Sequence, residues 1–202
     1  MELPISATRT TTQLLDALHD PDNQQVWRAI DERYRPVIAR FARRFALSES
    51  DADDVAQQTL TEFVRSYRDG RYQRSQGRLS SWVLGIAHNM IRQQHRNLQR
   101  HAATDDQPEA THDDPDDLQR IWSEERDREI FNRALDMLRD TNTTKPENLQ
   151  AFELVALRGV PATNAAELTG LTVDQVYVAK SRITTRLREL VTTMTKAYEE
   201  DA

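Results

Sequence analysis

One segment near the middle of the chain, HAATDDQPEATHDDPDDLQ (residues 101–119), limits what the chain can fold into. It contains seven acidic residues and two prolines, and Leu118 is its only large apolar residue. A segment of this composition cannot bury enough apolar surface to offset the entropy lost on ordering. The sequence therefore predicts a flexible acidic linker over residues 101–117 between two small domains, residues 12–100 and 118–195.

Apolar residues on both sides of the linker recur every three or four positions, as they do on one face of an α-helix. This spacing predicts a short helix near residues 12–19 and longer helices throughout both domains. Pro36 is expected to kink or break the helix around it, because proline lacks the amide hydrogen of the helical ladder. Glycine is scarce and no strand pattern occurs. The predicted fold class is all-α, with the second domain ending in a helix-turn-helix.

Helix starts are predicted from capping motifs. Three pairs match the capping box, in which the first side chain bonds to the backbone amide three residues on: Ser48 with Asp51, Thr144 with Glu147, and Thr172 with Gln175. Ser80 or Ser81 is expected to cap the helix that follows Gly77.

The net charge of −6 conceals two blocks of opposite charge. From Arg65 to His101 there are eight arginines and one acidic residue, whereas from Ala102 to Glu129 there are eleven acidic residues and three arginines. The negative total therefore does not exclude a nucleic-acid surface on the basic block.

Several function classes are excluded or disfavoured. The chain has no cysteine, which rules out disulfides, zinc–thiolate sites and thiol nucleophiles. Its apolar runs are too short to cross a bilayer and its N-terminus lacks a signal pattern, so we expect a cytoplasmic protein without membrane insertion. The five histidines show no metal-ligand spacing, and no serine lies in a nucleophile motif. We expect no catalytic residue, no metal site and no cofactor.

The acidic stretch SESDADDVAQQTLTEF has two interpretations. Asp51 and Asp54 could share a helix face and bind Mg²⁺, but no second acidic motif completes such a site. Acidic residues in a first helical turn are also expected from the helix dipole alone. The favoured interpretation is a face that binds another protein, formed by Asp53, Asp54, Gln57, Gln58 and Glu62.

The stretch GRLSSWVLGIAHNMIRQQHR (residues 77–96) predicts a helix with two different faces. One face is an apolar stripe assigned to the core: Trp82, Val83, Ile86, Ala87, Met90 and Ile91. The other carries His88, Asn89, Arg92 and Arg96. An asparagine amide can pair with a base edge and arginines neutralise phosphates, so this second face is typical of DNA contact.

The preceding loop, RSYRDGRYQRSQGR (residues 65–78), interleaves tyrosines with arginines. Unpaired bases stack on aromatic rings while positive charge holds the backbone, so this composition favours single-stranded DNA. The alternative is a solvated charged face without a partner. The candidate contacts are Tyr67, Arg71, Tyr72 and Arg78, beside Arg65, Arg68 and Arg74.

The C-terminal stretch ATNAAELTGLTVDQVYVAKSRITTRLREL follows the pattern of a helix-turn-helix, with Gly170 at the turn. In such motifs the second helix enters the major groove. Its predicted outward residues are Gln175, Tyr177, Val178, Ser181, Arg182, Thr185 and Arg186. The alternative is an ordinary helical hairpin with a glycine turn.

The order of these elements resembles the extracytoplasmic-function group of bacterial RNA polymerase sigma factors, which keeps only conserved regions two and four. The resemblance rests on YRPVIARFARRFALSESDADDVAQQTLTEFVRSY, on the two stretches from residues 77 and 165, and on the acidic linker. It covers most of residues 13–100 and 130–192. It implies a protein without catalytic activity that joins core polymerase and directs transcription initiation from −10 and −35 promoter elements.

By position, the resemblance implies that the face from Asp53 to Glu62 binds the β′ clamp helices of core polymerase. Asn89, Arg92 and Arg96 would face the −10 element, and the tyrosine- and arginine-rich loop would hold a flipped base of the melted strand. The last helix would read the −35 element. The resemblance further implies the β flap as a polymerase contact, a linker in the RNA path and an anti-sigma factor as a partner, although no residue identifies the last.

Three positions depart from the family's pattern. Gln93 stands where an acid is common, and Tyr177 and Ala179 stand where arginine or lysine is common, which bears on the promoter sequence rather than on the class of activity. The principal alternative function is a helix-turn-helix regulator that binds DNA without joining polymerase. It predicts a dimer on a palindromic site.

Overall fold

The structure, a computed structural model, describes residues 7, 11–18, 20, 23–73, 75, 78–101, 114–140 and 144–198. These residues form eight α-helices: α1 Thr11–Ala17, α2 Gln24–Arg43, α3 Glu49–Arg68, α4 Leu79–His101, α5 Pro115–Asp140, α6 Pro146–Phe152, α7 Ala162–Thr169 and α8 Val173–Tyr198. A π-helical turn, Glu153–Leu157, continues α6. No strand occurs in the described ranges, which confirms the all-α class. None of these helices combines the length and apolar character needed to cross a bilayer.

Contacts divide the chain into two units, Met1–Glu129 with Lys196–Ala202, and Ile130–Thr195. Residues 118–129, which the sequence assigns to the second domain, therefore belong by their contacts to the first unit. Of the predicted linker, residues 102–113 lie outside the described ranges and residues 115–117 are the first turn of α5. Asp114 explains this start, because its Oδ1 accepts a hydrogen bond from the Asp116 amide at 3.0 Å. The functional limits of the domains stay a prediction.

Helix α2 runs through Pro36 without interruption, so the helix is not broken there. Proline removes one hydrogen bond from the ladder, but Tyr34, Val37 and Ile38 are buried on either side and hold the helix in the core. Helix α2 packs on α3, and α3 packs on α4. The largest core side chains of the first unit include Phe41, Phe45, Phe63, Ile38 and Ile91.

Two arginine–glutamate pairs join the C-terminal end of α2, including its C-cap residue Arg44, to the middle of α5, and we call these four residues the Arg–Glu ladder. Arg40 pairs with Glu129, and Arg44 Nη1 lies 3.4 Å from Glu125 Oε1. Both glutamates are buried. A buried carboxylate is tolerated only with a partner, so the two pairs fix the register in which α5 packs on α2.

Aromatic contacts and the C-terminal residues of α8 also pack against α2 in the first unit. Phe41 and Trp122 meet edge to face, with their ring centroids 5.6 Å apart. Arg33, which is fully buried, donates from Nη1 to the Ala197 carbonyl oxygen at 2.8 Å. The Tyr198 hydroxyl donates to the Arg33 carbonyl oxygen at 2.9 Å. The buried Arg33 is thereby satisfied within the fold.

Two capping predictions are wrong because the helices begin at other residues. Helix α4 begins at Leu79, so Ser80 and Ser81 lie inside its first turn instead of preceding it. Helix α6 begins at Pro146 with Lys145 as its N-cap, and no side chain caps it. Thr144 is therefore one residue too far from the helix to form the predicted box.

One cluster in the core of the second unit is made largely of alanine. Ala151, Ala165, Ala166 and Val176 are buried together. Partly buried Leu154, Val155, Val160, Leu171 and Val173 pack against them. Small side chains let α6, α7 and α8 approach closely around the turn at Gly170.

Candidate functional site

The exposed side of α3 and the adjoining edge of α4 enclose an open polar groove of about 550 Å³, which we call the α3–α4 groove. Its lining residues are Asp54, Gln57, Gln58, Thr61, Glu62, Met90 and Gln93. Four of the five residues predicted to bind a protein thus line one groove, and Asp53 is exposed on the same helix. Thr61, Met90 and Gln93 were not predicted as site residues, because the pairing of α3 with α4 is not given by either helix alone.

Asp51 does not line this groove, because its carboxylate accepts hydrogen bonds from other residues of the same unit. Ser48 caps α3 as predicted, with its Oγ accepting from the Asp51 amide at 3.1 Å. The Asp51 carboxylate accepts from Ser48 Oγ and, at 2.8 Å, from Gln94 Nε2. Asp51 therefore ties the start of α3 to α4. In the part of the chain that the structure describes, no group of three or more histidine or acidic side chains is placed to hold a metal ion.

Helix α4 has two faces, but its buried stripe differs from the predicted one. The fully buried residues are Leu79, Val83, Leu84, Ala87 and Ile91. Trp82, Ile86 and Met90, predicted as core, are only half-buried. Helix α4 packs against α2 as well as α3, so its buried stripe shifts towards Leu84 and leaves these three at the edge.

The polar face of α4 is exposed at Asn89, Arg92 and Arg96, which share one side because helix residues three or four apart do so. Neighbouring Arg96, Gln99 and Arg100 line a second open groove near the end of the helix. The side of α4 that carries Asn89, Arg92, Arg96 and Arg100 is therefore basic, and we call it the basic surface of α4.

His88 lies beside that surface and is less exposed than Asn89, so its predicted contact with DNA stays a prediction. It is half-buried, and its ring centroid lies 6.0 Å from that of Phe45. The next residue, Asn89, is turned by about 100° around the helix and is exposed. Arg78 is exposed directly before α4, and Arg74 lies outside the described residues.

Helix α3 ends in a Schellman motif, which directs the arginine- and tyrosine-rich loop. Gly70 has a φ of +70° and its amide bonds to the Tyr67 carbonyl at 3.0 Å. The Arg71 amide bonds to the Ser66 carbonyl, also at 3.0 Å. Glycine adopts this left-handed backbone without steric cost. The chain reverses at Gly70, so that Arg71 and Tyr72 return alongside α3.

Tyr67 and Tyr72 are half-buried in an aromatic cluster, and their predicted contact with single-stranded DNA stays a prediction. Tyr72 lies 6.2 Å from Tyr67 and 5.1 Å from Trp82 between ring centroids, and Phe63 meets Trp82 at 5.7 Å. Burial and the nearby charge of Asp16 raise the pKa of Tyr67. Trp82, which the sequence analysis assigned to the core, belongs to this cluster, and its place at the start of α4 just after Tyr72 in the chain was the signal for it.

The arginines of this segment differ in the contacts that they make with other residues of the fold. The Arg68 guanidinium lies over the Trp27 ring, 5.0 Å from its centroid. Arg71 Nη2 is 3.5 Å from Asp69 Oδ2, and Arg71 Nη1 is 3.9 Å from Glu62 Oε1. Arg71 remains largely exposed despite these pairs.

In the second unit, α7, Gly170 and α8 follow one another as the sequence predicts. Gly170 has a φ of +70° at the end of α7. The Gln175 amide bonds to Thr172 Oγ1 at 3.2 Å, and Gln175 Oε1 accepts from the Thr172 amide at 2.8 Å. This capping box occupies the side-chain oxygen of Gln175, which leaves only its amide nitrogen for the predicted contact with DNA.

The outward face of α8 carries exposed apolar and basic residues. Tyr177 is 56% exposed and Val178 is 48% exposed. Ser181, Arg182 and Arg186 are exposed on the same helix. Ala179 is buried, so the departure from the family's pattern at that position falls in the core. On α7, Leu168 is 64% exposed, and no sequence pattern had marked it.

Comparison with known proteins identifies one part of the chain. Residues 30–101 match the family model described as sigma-70 region 2. No curated protein matches the chain. Among solved structures, it is similar to that of CnrH in complex with the cytosolic domain of CnrY, with 20% sequence identity and a TM-score of 0.36 over 89% of this chain and 96% of that chain. At this TM-score the similarity supports no conclusion about the fold or the function of the chain.

The family match contains α3, the arginine- and tyrosine-rich loop and α4. It therefore includes both the α3–α4 groove and the basic surface of α4. The match confirms the resemblance to sigma factors over residues 30–101. Residues 30–101, about a third of the chain, thus match region 2 of sigma factors.

Proposed function

With a sigma-70 region 2 domain over residues 30–101 as the premise, we propose that the chain is a sigma factor of the extracytoplasmic-function type. It joins core RNA polymerase in the bacterial cytoplasm and directs initiation from promoters with −10 and −35 elements. The observation that carries this proposal is that two different surfaces occur on neighbouring helices of that domain. One is the polar α3–α4 groove, and the other is the basic surface of α4.

The α3–α4 groove is the proposed contact with the β′ clamp helices of polymerase. Asp53, Asp54, Gln57 and Gln58 are exposed on successive turns of α3. Carboxylates and amides at these positions suit a partner that offers arginines and polar groups. Glu62, the fifth residue of the predicted face, differs because its carboxylate accepts a hydrogen bond from Ser66.

The basic surface of α4 is the proposed contact with the −10 element. Asn89 has the amide that pairs with an adenine edge, and Arg92 and Arg96 supply positive charge one and two turns further on. The aromatic cluster of Tyr67, Tyr72 and Trp82 lies at the start of the same helix. We propose that a base extruded from the melted strand stacks against the edge of that cluster, which offsets the cost of unstacking.

The outward face of α8 is the proposed reader of the −35 element. Ser181, Arg182 and Arg186 can contact base edges and phosphates in the major groove. Tyr177 and Val178 supply apolar contacts of the kind that thymine methyl groups accept. The β flap is the second proposed contact with polymerase, and an anti-sigma factor that covers these surfaces is a proposed regulator.

The test combines purified full-length chain with core RNA polymerase. Co-elution in gel filtration measures association, and run-off transcription measures initiation. The proposal predicts a complex with core polymerase, chain-dependent transcripts and weak binding of the free chain to duplex DNA.

The alternative regulator predicts the opposite set of results. It would bind a palindromic duplex tightly as a dimer and would not co-elute with core polymerase.

Glu49→Gln is the matched control for substitutions on α3, because Glu49 is highly exposed at the far end of that helix from the loop.

A further inference from the structure

Glu62 is the one member of the predicted polymerase-binding face whose side chain is directed into its own domain. Its Oε1 accepts a hydrogen bond from Ser66 Oγ at 2.8 Å, and Ser66 is buried. The Glu62 side chain is 31% exposed, whereas Asp53, Asp54, Gln57 and Gln58 are all exposed residues. The carboxylate is therefore held in one position by the fold.

The same position lies next to the returning loop. Ser66 donates from its side chain to Glu62 and accepts at its carbonyl from the Arg71 amide. The Arg71 guanidinium in turn reaches to 3.9 Å from Glu62 Oε1. Glu62, Ser66 and Arg71 thus close a ring of contacts around the Schellman turn at Gly70.

We infer that Glu62 is a positioning residue for the DNA-contacting loop and not a contact with polymerase. Its charge holds Arg71 beside the aromatic cluster, so that the guanidinium and the edge of the Tyr72 ring face the melted strand together. This inference rests on the proposed function and changes the role of one residue in it. Asp69, the C-cap of α3, also pairs with Arg71, at 3.5 Å, so the two carboxylates hold the guanidinium from both sides of the turn.

Glu62→Gln tests this role, because glutamine still accepts the hydrogen bond from Ser66 but carries no charge for Arg71. The measurements are the affinity for core polymerase and the fraction of promoter opened at equal core occupancy, read by permanganate reactivity of unpaired thymines. An exposed ion pair contributes about 0.2–1 kcal/mol, so we expect the open fraction to fall by a factor of roughly 1.4 to 5. Core affinity should equal that of Glu49→Gln, which makes the same chemical change elsewhere on α3.

Arg71→Gln and the double variant show whether Glu62 acts through Arg71. If it does, the double variant opens the promoter no less than Arg71→Gln alone, because the pair is already lost. Equal melting temperatures for all four variants would exclude a general loss of structure as the cause.

Several results would overturn the inference. A loss of core affinity in Glu62→Gln would return Glu62 to the polymerase contact. An unchanged or increased open fraction, or effects of the two substitutions that multiply, would show that Glu62 does not position Arg71. If the wild-type chain itself failed to bind core polymerase, the proposed function would fail instead, which is a separate outcome.

Discussion

The first unit contains two sets of polar residues, one buried in ion pairs and one exposed along a groove. In the Arg–Glu ladder, Glu125 and Glu129 are buried against arginines of α2. Along the α3–α4 groove, Asp54, Gln57 and Gln58 are exposed. Charges that are buried in pairs determine how helices pack, whereas exposed ones remain available to a partner. A charged residue in this chain therefore gives no indication of its role until its burial is known.

The largest expected effect concerns the ladder. Glu129→Ala leaves Arg40 without its buried partner, and because the Arg40 side chain is 22% exposed we expect a loss of about 2–4 kcal/mol in the free energy of unfolding. Denaturant unfolding measures it. Glu124→Ala is the matched control, since Glu124 also pairs with an arginine of α2, at 3.6 Å, but both side chains are over 40% exposed. Equal destabilisation by the two variants would remove the distinction between buried and exposed charges.

The second prediction extends the comparison to an exposed arginine of the second unit. Arg182→Ala should weaken binding of the polymerase complex to the −35 element by about 1–3 kcal/mol if the side chain contacts a base edge. Stability should change little, because Arg182 is exposed. The control is Arg188→Ala, exposed on another side of α8. Unchanged affinity and promoter preference in Arg182→Ala would exclude it as a reader.

The third prediction separates DNA contact from polymerase contact within the first unit. Asn89→Ala should reduce promoter opening by roughly five- to tenfold, as expected for the loss of about 1–1.4 kcal/mol of base contact. Core affinity should stay at the wild-type value. The fraction of open promoter and the dissociation constant for core polymerase are measured on the same preparation. Equal losses in both quantities would point to misfolding.

The smallest expected effect concerns the α3–α4 groove. Asp54→Asn should weaken association with core polymerase by about 1 kcal/mol, or roughly fivefold, because interface positions of this kind rarely cost more. The free energy of unfolding should change by less than about 0.5 kcal/mol. Gel filtration and denaturant unfolding measure the two effects. If Asp54→Asn lowered the free energy of unfolding strongly but left association with core polymerase intact, Asp54 would behave like a residue of the ladder, which contradicts the prediction.

The sequence predicts those features of this protein that depend on neighbouring residues. The apolar spacing gives the helices, Ser48 and Thr172 give two of their starts, and Gly170 gives the turn before α8. The exposure of Asn89, Arg92 and Arg96 follows from their spacing on one helix. Each of these features is decided within a few residues, where local chemistry is sufficient.

Features that depend on packing between distant segments were predicted less well. Continuity of α2 through Pro36 depends on burial of the residues around it. The half-buried position of His88 depends on Phe45, and the aromatic cluster depends on Tyr72 returning to Trp82. Trp122 and Glu125 were assigned to another domain because only their contacts with α2 show that they belong to the first unit.

The central claim is that this chain gives core polymerase the ability to start at defined promoters. The most direct measurement is transcription of a library with a randomised upstream region by core polymerase, with and without the chain, followed by mapping of the 5′ ends. We expect chain-dependent starts preceded by two common elements with the spacing of −10 and −35, of which Arg182→Ala relaxes only the upstream one. Starts that are the same with and without the chain would contradict the account.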